Sequence, residues 1–367
     1  MTEPVLKAVP NELAQQAQQA LAGWIDPILG VDLFTAGAVR KLEAFTYRIY
    51  LDIELGFPAQ GYCTQLAEAL ETHLLKHTQA LTVEVKAGWQ VQPAPRNSQS
   101  VPGVKHLIAV ASGKGGVGKS TTATNLSLAL AADGARVGML DADLYGPSQP
   151  RMLGLAGLPE TCDGRMQPMV GHGIQTMSIG FLVDDEAPVI WRGPMITQAL
   201  SRLLNETDWQ DLDYLIIDMP PGTGDIHLTM AQRMPVSGAV IVTTPQDIAL
   251  LDARKGLKMF EKVNIPVLGI VENMSTHVCS QCGHEEHIFG SGGALQMAEQ
   301  FGSELLGELP LDIRIRVGAD DGRPVLIENP RGSLALNYQG IARRIAAKLS
   351  MQPRPGAAGC EPLITVD

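Results

Sequence analysis

Ten residues of this chain, SGKGGVGKST from Ser112 to Thr121, have the make-up needed to wrap a polyphosphate. Gly113, Gly115, Gly116 and Gly118 let the main chain turn around an anion with no β-carbon in the way. Main-chain amides in such a loop, those of Val117 and Thr121 included, can hold phosphate oxygens at the start of a helix. Lys119 is placed to neutralise the β and γ oxygens of ATP, and Ser120 to offer its hydroxyl to Mg2+. A second lysine, Lys114, follows the first glycine. Its side chain has two destinations open to it, solvent or a neighbouring molecule.

Two acidic stretches suit the same nucleotide. Asp141 and Asp143 lie in LDADLYGPS, and Asp218 opens DMPPGTGD; each stretch follows an apolar run. Carboxylates at the C-terminal tips of parallel strands face the crevice where ligands bind. Asp218 is expected to hold a Mg2+-bound water and Asp143 to orient the attacking water. Gly222 and Gly224 would let their loop follow the γ-phosphate. A helix cap is the plainer role for any one of the three aspartates taken alone.

Cys279 and Cys282, in STHVCSQCGHEEHIFG, offer two thiolates able to chelate one metal ion or one edge of a cluster. A tetrahedral thiolate site takes four ligands, and Cys63, Cys162 and Cys360 stand alone in the sequence. The pair is open to a homodimer that joins two pairs on its two-fold axis, a zinc knuckle with His284 and His287, a redox dithiol, or an inert role. The gap from Cys282 to His284 is much shorter than a zinc finger's, and the pair does not open a helix after a thioredoxin-like strand. Symmetry favours the homodimer. Lys114 then gains a role, because a lysine leaning across the interface can touch the partner's nucleotide, coupling nucleotide and cluster.

These residues need a scaffold, and the pattern supplies two. From HLIAVAS onward, short apolar runs (RVGMLDAD, DYLIIDMPP, GAVIVTTP, PVLGIVENM, SELLGELP) alternate with helical stretches. This predicts an α/β fold, a doubly wound and mostly parallel sheet, over residues 105–350. Residues 88–104, rich in proline and breakers, read as a linker. Before it, residues 1–87 read as a small α/β domain: a helix in NELAQQAQQALAGW, a DPILG turn, and a strand in which Phe45, Tyr47, Ile49, Leu51, Ile53 and Leu55 alternate. A second helix there aligns Leu66, Leu70 and Leu74, and LTVEV closes the domain as a strand. Residues 351–367 read as a flexible tail holding Cys360, and Cys63 mainly as a structural thiol.

Composition narrows the setting. The 367 residues are 45% hydrophobic with a net charge of −11, which excludes wholesale disorder and a broad nucleic-acid footprint. No apolar run approaches the roughly 20 residues that span a bilayer. The five scattered cysteines and the lack of a basic-then-apolar leader point to a reducing cytoplasm, with no membrane or nucleic-acid partner.

GKGGVGKS, DADLYGPS, DMPPGTGD and VENMS followed by CSQCG resemble the motifs of the Mrp/NBP35 (ApbC-like) iron–sulfur cluster carrier ATPases, a deviant-Walker P-loop family. The resemblance covers roughly residues 105–350; the DPILG turn and alternating strand are similar, less sharply, to a MIP18-like assembly domain. It implies a homodimer that binds a [4Fe–4S] cluster between subunits, hydrolyses ATP slowly, and passes the cluster to apo iron–sulfur proteins, with scaffold proteins as possible donors. Lys114 resembles the signature lysine, Lys119 and Ser120 the Walker lysine and Mg2+ ligand, Asp141 and Asp143 the first switch, and Asp218 the second. Asn273 matches an adenine contact, with Pro310 and Asp312 on the far side of the base, and Cys279 and Cys282 the bridging pair. The extra N-terminal four-cysteine site of eukaryotic relatives has no counterpart. His284 and His287 inherit no role. Two other readings remain, a ParA/MinD-like positioning switch and a zinc-binding, nucleotide-dependent scaffold.

Overall fold

The structure, a computed structural model, describes residues 12–94, 100–182, 193–353 and 363–366. Cys360 and part of the expected linker lie outside them. The chain divides into two compact units, residues 93–345 and residues 1–92 with 346–367.

The larger unit is built on one eight-stranded sheet. In spatial order its strands are Leu305–Leu309, Val267–Asn273, Gly238–Thr243, Val104–Ala111, Leu212–Asp218, Val137–Asp141, Ile174–Ser178 and Met169–Gly171. All neighbours run parallel except the last pair. Every residue of Leu212–Asp218 and Gly238–Thr243 is buried, as expected for strands with helices on both faces. One apolar core links the sheet to its helices, from Leu107, Leu140, Leu215 and Ile241 to Leu257, Phe260 and Met297. Val104–Ala111 lies between Gly238–Thr243 and Leu212–Asp218. The chain passes from it to one side of the sheet and later to the other, and that reversal opens a crevice at its C-terminal tip. Ser112 to Gly118 occupy that tip.

The expected strands from HLIAVAS to SELLGELP all form. The last two strands of the sheet, Ile174–Ser178 and Met169–Gly171, and the helices Gly193–Asn205 and Asp225–Arg233 were not anticipated.

In the smaller unit, the helices Glu12–Ala22 and Cys63–His77 lie where the periodicity puts them, with Leu66, Leu70 and Leu74 buried. The alternating run differs from the expectation. It is a hairpin of Val39–Phe45 and Arg48–Leu55, with Phe45 at the end of the first strand and Tyr47 in the turn itself, both exposed. Period-two patterning continues through a tight turn, so alternation alone does not mark where the chain reverses. The C-terminal segment also differs: Leu363–Val366 pairs in parallel with Val39–Phe45. A run of branched residues fits a strand edge, and the proline and glycine before it obscure that in the sequence.

Candidate functional site

The phosphate loop leads into the helix Lys119–Ala132. Gly118 caps this helix with φ +83°, a left-handed conformation that side chains resist. A β-carbon there would lie 2.1 Å from Asn273 Nδ2, and one on Gly113 would lie 2.2 Å from the Asp252 carbonyl carbon in the helix Asp247–Lys262. The loop is thus pressed between two neighbouring elements. The Ser112 hydroxyl donates to the Lys114 carbonyl at 2.9 Å.

Lys119 is 5% exposed. Its ammonium is hydrogen-bonded to the Asp218 carboxylate, donates to Ser120 Oγ at 3.1 Å, and lies 3.7 Å from Asp143 Oδ2. One cation therefore serves two carboxylates in a nearly closed site. Burial, opposed by Lys119, raises the Asp143 carboxyl above the ordinary range, and Asp218 adds to the rise.

Gln149, which the sequence reading missed, organises this cluster. It is fully buried, and its Nε2 donates to Asp218 Oδ2 at 3.0 Å and to the Ser120 carbonyl at 3.1 Å. Its Oε1 accepts from Thr124 Oγ1 at 2.6 Å. The only signal for it was a polar side chain shortly after the LDADLYGPS stretch.

Asp141 lies below the cluster. Its Oδ2 accepts from the Ser148 and Gln149 amides (3.0 and 3.1 Å) and Ser178 Oγ (3.0 Å), and its Oδ1 from the Asp143 amide at 3.2 Å. Burial, then the nearby Asp218 charge, push its carboxyl up to about 7, against the pull of those donors. With both oxygens engaged by protein, Asp141 shapes the loop that carries Asp143 and Gln149.

The DMPPGTGD loop is tied to the phosphate loop. The Gly222 amide donates to the Ser112 carbonyl at 3.0 Å, and Gly224 caps the helix Asp225–Arg233. His227, also unanticipated, makes a 3.0 Å hydrogen bond with the Pro220 carbonyl; burial lowers its basicity.

The two segments expected around the base are adjacent in the sheet, since Asn273 pairs with Leu309. Asn273 Nδ2 donates to the Val117 carbonyl at 2.9 Å. Pro310 follows directly, and Asp312 caps the helix Ile313–Asp320 by accepting from the Arg314 amide at 2.8 Å. Lys114 is partly exposed, and among the described residues no carboxylate partners its ammonium.

Beyond Ser275 the chain forms a small antiparallel hairpin, His277–Val278 with Glu285–Glu286. Cys279 and Cys282 stand at its tip. The Gly283 amide donates to the Cys279 carbonyl at 2.8 Å, and the Cys279 amide to the His284 carbonyl at 2.9 Å. Main-chain amides of Gln281 and Cys282, with the Cys282 side chain, lower the Cys279 thiol from its usual range. Such a turn favours thiolate, the form that binds metal.

His284 and His287 are not grouped with the two cysteines among the described residues. His284 lies 3.6 Å from Glu286 Oε1, and His287 Nδ1 is hydrogen-bonded to the Ser275 carbonyl at 3.0 Å. Among the described residues no three His, Cys, Asp or Glu side chains are grouped to hold a metal ion. Cys162 is exposed on a separate two-residue ladder, and Cys63 belongs to the other unit.

Comparison with known proteins identifies the family. A family model described as NUBPL iron-transfer P-loop NTPase matches residues 103–346, and one described as iron-sulfur cluster assembly protein matches residues 14–86. The iron-sulfur cluster carrier protein of Escherichia coli (strain K12) is 48% identical over 356 residues, 96% of each chain. The mouse iron-sulfur cluster transfer protein NUBPL is 52% identical over 256 residues, 69% of this chain and 80% of its own. A solved nucleotide-binding protein of Archaeoglobus fulgidus in complex with ADP is 39% identical with a TM-score of 0.56, covering 63% of this chain and 91% of that one. With a family model spanning more than half of its residues and near-full-length relatives at this identity, the chain belongs to the iron–sulfur cluster carrier family of P-loop NTPases.

Proposed function

We propose that the protein binds and hydrolyses ATP and carries a [4Fe–4S] cluster, held between two copies of the chain, to apo iron–sulfur proteins. The observation that carries this reading is the hairpin tip, where Cys279 and Cys282 stand partly or fully exposed on a tight turn that lowers the Cys279 thiol. Two thiolates complete half of a four-ligand cluster site, and a second copy supplies the other half. Ile248 and Leu251 on the helix Asp247–Lys262, and Val278 and Ile288 on the hairpin segment, are each more than half exposed, which supports a face that a second copy covers.

At the phosphate loop, the amides after Gly113 bind the β-phosphate, and Lys119 leaves Asp218 to neutralise the γ-phosphate oxygens. Ser120 Oγ and the Asp218 carboxylate are hard oxygen donors beside the loop and fit Mg2+, which would neutralise phosphate charge there. Asp143 orients the attacking water, Asp141 and Gln149 hold Asp143 and Asp218 in place, and Lys114 reaches the second copy's nucleotide. Asn273 and the Pro310–Asp312 segment flank the base. Cluster transfer proceeds by exchange of thiolate ligands with the recipient, and a scaffold protein is the donor. A cytoplasmic location suits free thiols. Among the described residues no helix is long and apolar enough to cross a membrane.

Anaerobic reconstitution with iron and sulfide tests the reading. About four irons per dimer, lost in Cys279→Ala or Cys282→Ala, are expected. Stoichiometric zinc in a monomer, or full cluster yield in both variants, overturns it.

A further inference from the structure

The hairpin bearing Cys279 and Cys282 is fastened by a histidine at each end, and each histidine reaches one of the two segments assigned to the base pocket. At the entry, His277 Nδ1 is hydrogen-bonded to the Leu311 carbonyl at 3.0 Å. At the exit, His287 Nδ1 is hydrogen-bonded to the Ser275 carbonyl at 3.0 Å. A carbonyl only accepts, so both rings carry a proton on Nδ1. Leu311 stands between Pro310 and Asp312, and Ser275 two residues after Asn273.

The two segments are also laced together. The Ser275 amide donates to the Leu309 carbonyl at 3.0 Å, and the Leu311 amide to the Thr276 carbonyl at 2.7 Å. Asn273 grips the phosphate loop through Val117. Between Asn273 and Ser275, Met274 holds a left-handed φ of +58°, which a methionine adopts only where its surroundings impose it.

We propose that His277 and His287 are positioning residues that transmit occupancy of the base pocket to the geometry of the Cys279–Cys282 turn within a single subunit. The inference rests on the nucleotide reading above and is separate from coupling across a dimer. Its switching element is the Asn273 amide, whose one N–H holds the Val117 carbonyl while the second is free to reach the base, so that base binding re-aims the side chain. When the base takes that second N–H, the Met274 segment relaxes. Ser275 then moves and carries the hairpin exit with it through His287, while Leu311 moves the entry through His277. The tip is closed by its own two main-chain hydrogen bonds, so it moves as one piece.

Site-resolved alkylation of the cluster-free full chain by iodoacetamide tests this at saturating ADP, with ADP affinity measured alongside by calorimetry. ADP is expected to change the rates at Cys279 and Cys282 about fivefold in the wild type, and less than about twofold in His277→Ala or His287→Ala. His287→Asn restores the response, because its amide donor sits where Nδ1 does. The rate at Cys162 is the control and stays unchanged. An undiminished response in both alanine variants overturns the proposal, as does no response in a wild type that binds ADP. A wild type that fails to bind ADP overturns the nucleotide reading and this inference together. A failure of the cluster reading alone leaves the alkylation result standing.

Discussion

Replacing Lys119 by methionine keeps most of the apolar stem of the side chain and removes the one cation between Asp218 and Asp143. Both carboxylates are at least largely buried, with side-chain exposures of 0% and 11%. At the 3.7 Å Asp143 contact, Coulomb attraction is worth about 4–5 kcal/mol at an effective dielectric constant of about 20. Much of that offsets desolvation in the wild type. Removing one partner of a buried pair leaves the desolvation cost uncompensated, so nucleotide-free Lys119→Met should lose about 3–5 kcal/mol. Without the ammonium, which holds it down, the already raised Asp143 carboxyl rises further, and the folded chain binds a proton that the unfolded chain has released. The deficit should therefore be largest near about pH 7.5 and shrink toward about pH 5. Urea unfolding at both pH values, with ATP turnover alongside, measures this. Adding Asp218→Asn should recover stability and leave turnover absent, since the phosphate then lacks its lysine. A deficit below about 1 kcal/mol, or one that grows on acidification, would refute the view that Lys119 neutralises this cluster before nucleotide arrives.

Two further expectations follow from other contacts. Gly118→Ala places a β-carbon 2.1 Å from Asn273 Nδ2 at a φ of +83°; nucleotide affinity should fall at least about tenfold by calorimetry, and wild-type affinity would mean the loop tolerates strain there. Burial would raise the Asp213 carboxyl, but Lys105 at 2.8 Å and the Arg136 amide at 2.9 Å outweigh it and hold it below its usual 3.8. A lowered acid contributes stability that is present above 3.8 and lost as pH falls through the folded value. Asp213→Asn should therefore cost stability near about pH 7 and cost much less near about pH 3, by urea midpoint; equal losses at both would refute the assignment.

Legibility in the sequence followed the range of the interactions. The phosphate loop is a local motif whose glycines and lysines must be contiguous to encircle an anion, so it could be read directly. Buried parallel strands were legible for a similar reason, because covering both faces demands an unbroken apolar run. Gln149 was not legible. Its value comes from meeting Asp218, 69 residues away in the chain, and an isolated glutamine carries no such signal. Asp141 was legible as an acidic strand tip, but its donors were not, since only the folded loop brings Ser178 and the Ser148, Gln149 and Asp143 amides onto its two oxygens.

By itself, the sequence determined a nucleotide-binding loop on a doubly wound sheet and an unfinished thiolate site. Contiguous motifs and strand periodicity need no knowledge of distant neighbours. Only the tertiary structure decided that Lys119 rests on Asp218 and that His277 and His287 fasten the cysteine hairpin to Leu311 and Ser275. It also decided that Leu363–Val366 is a strand of the smaller unit. Each of these joins residues through side chains or strand edges whose partners are set by packing, and no local pattern encodes which partner that will be.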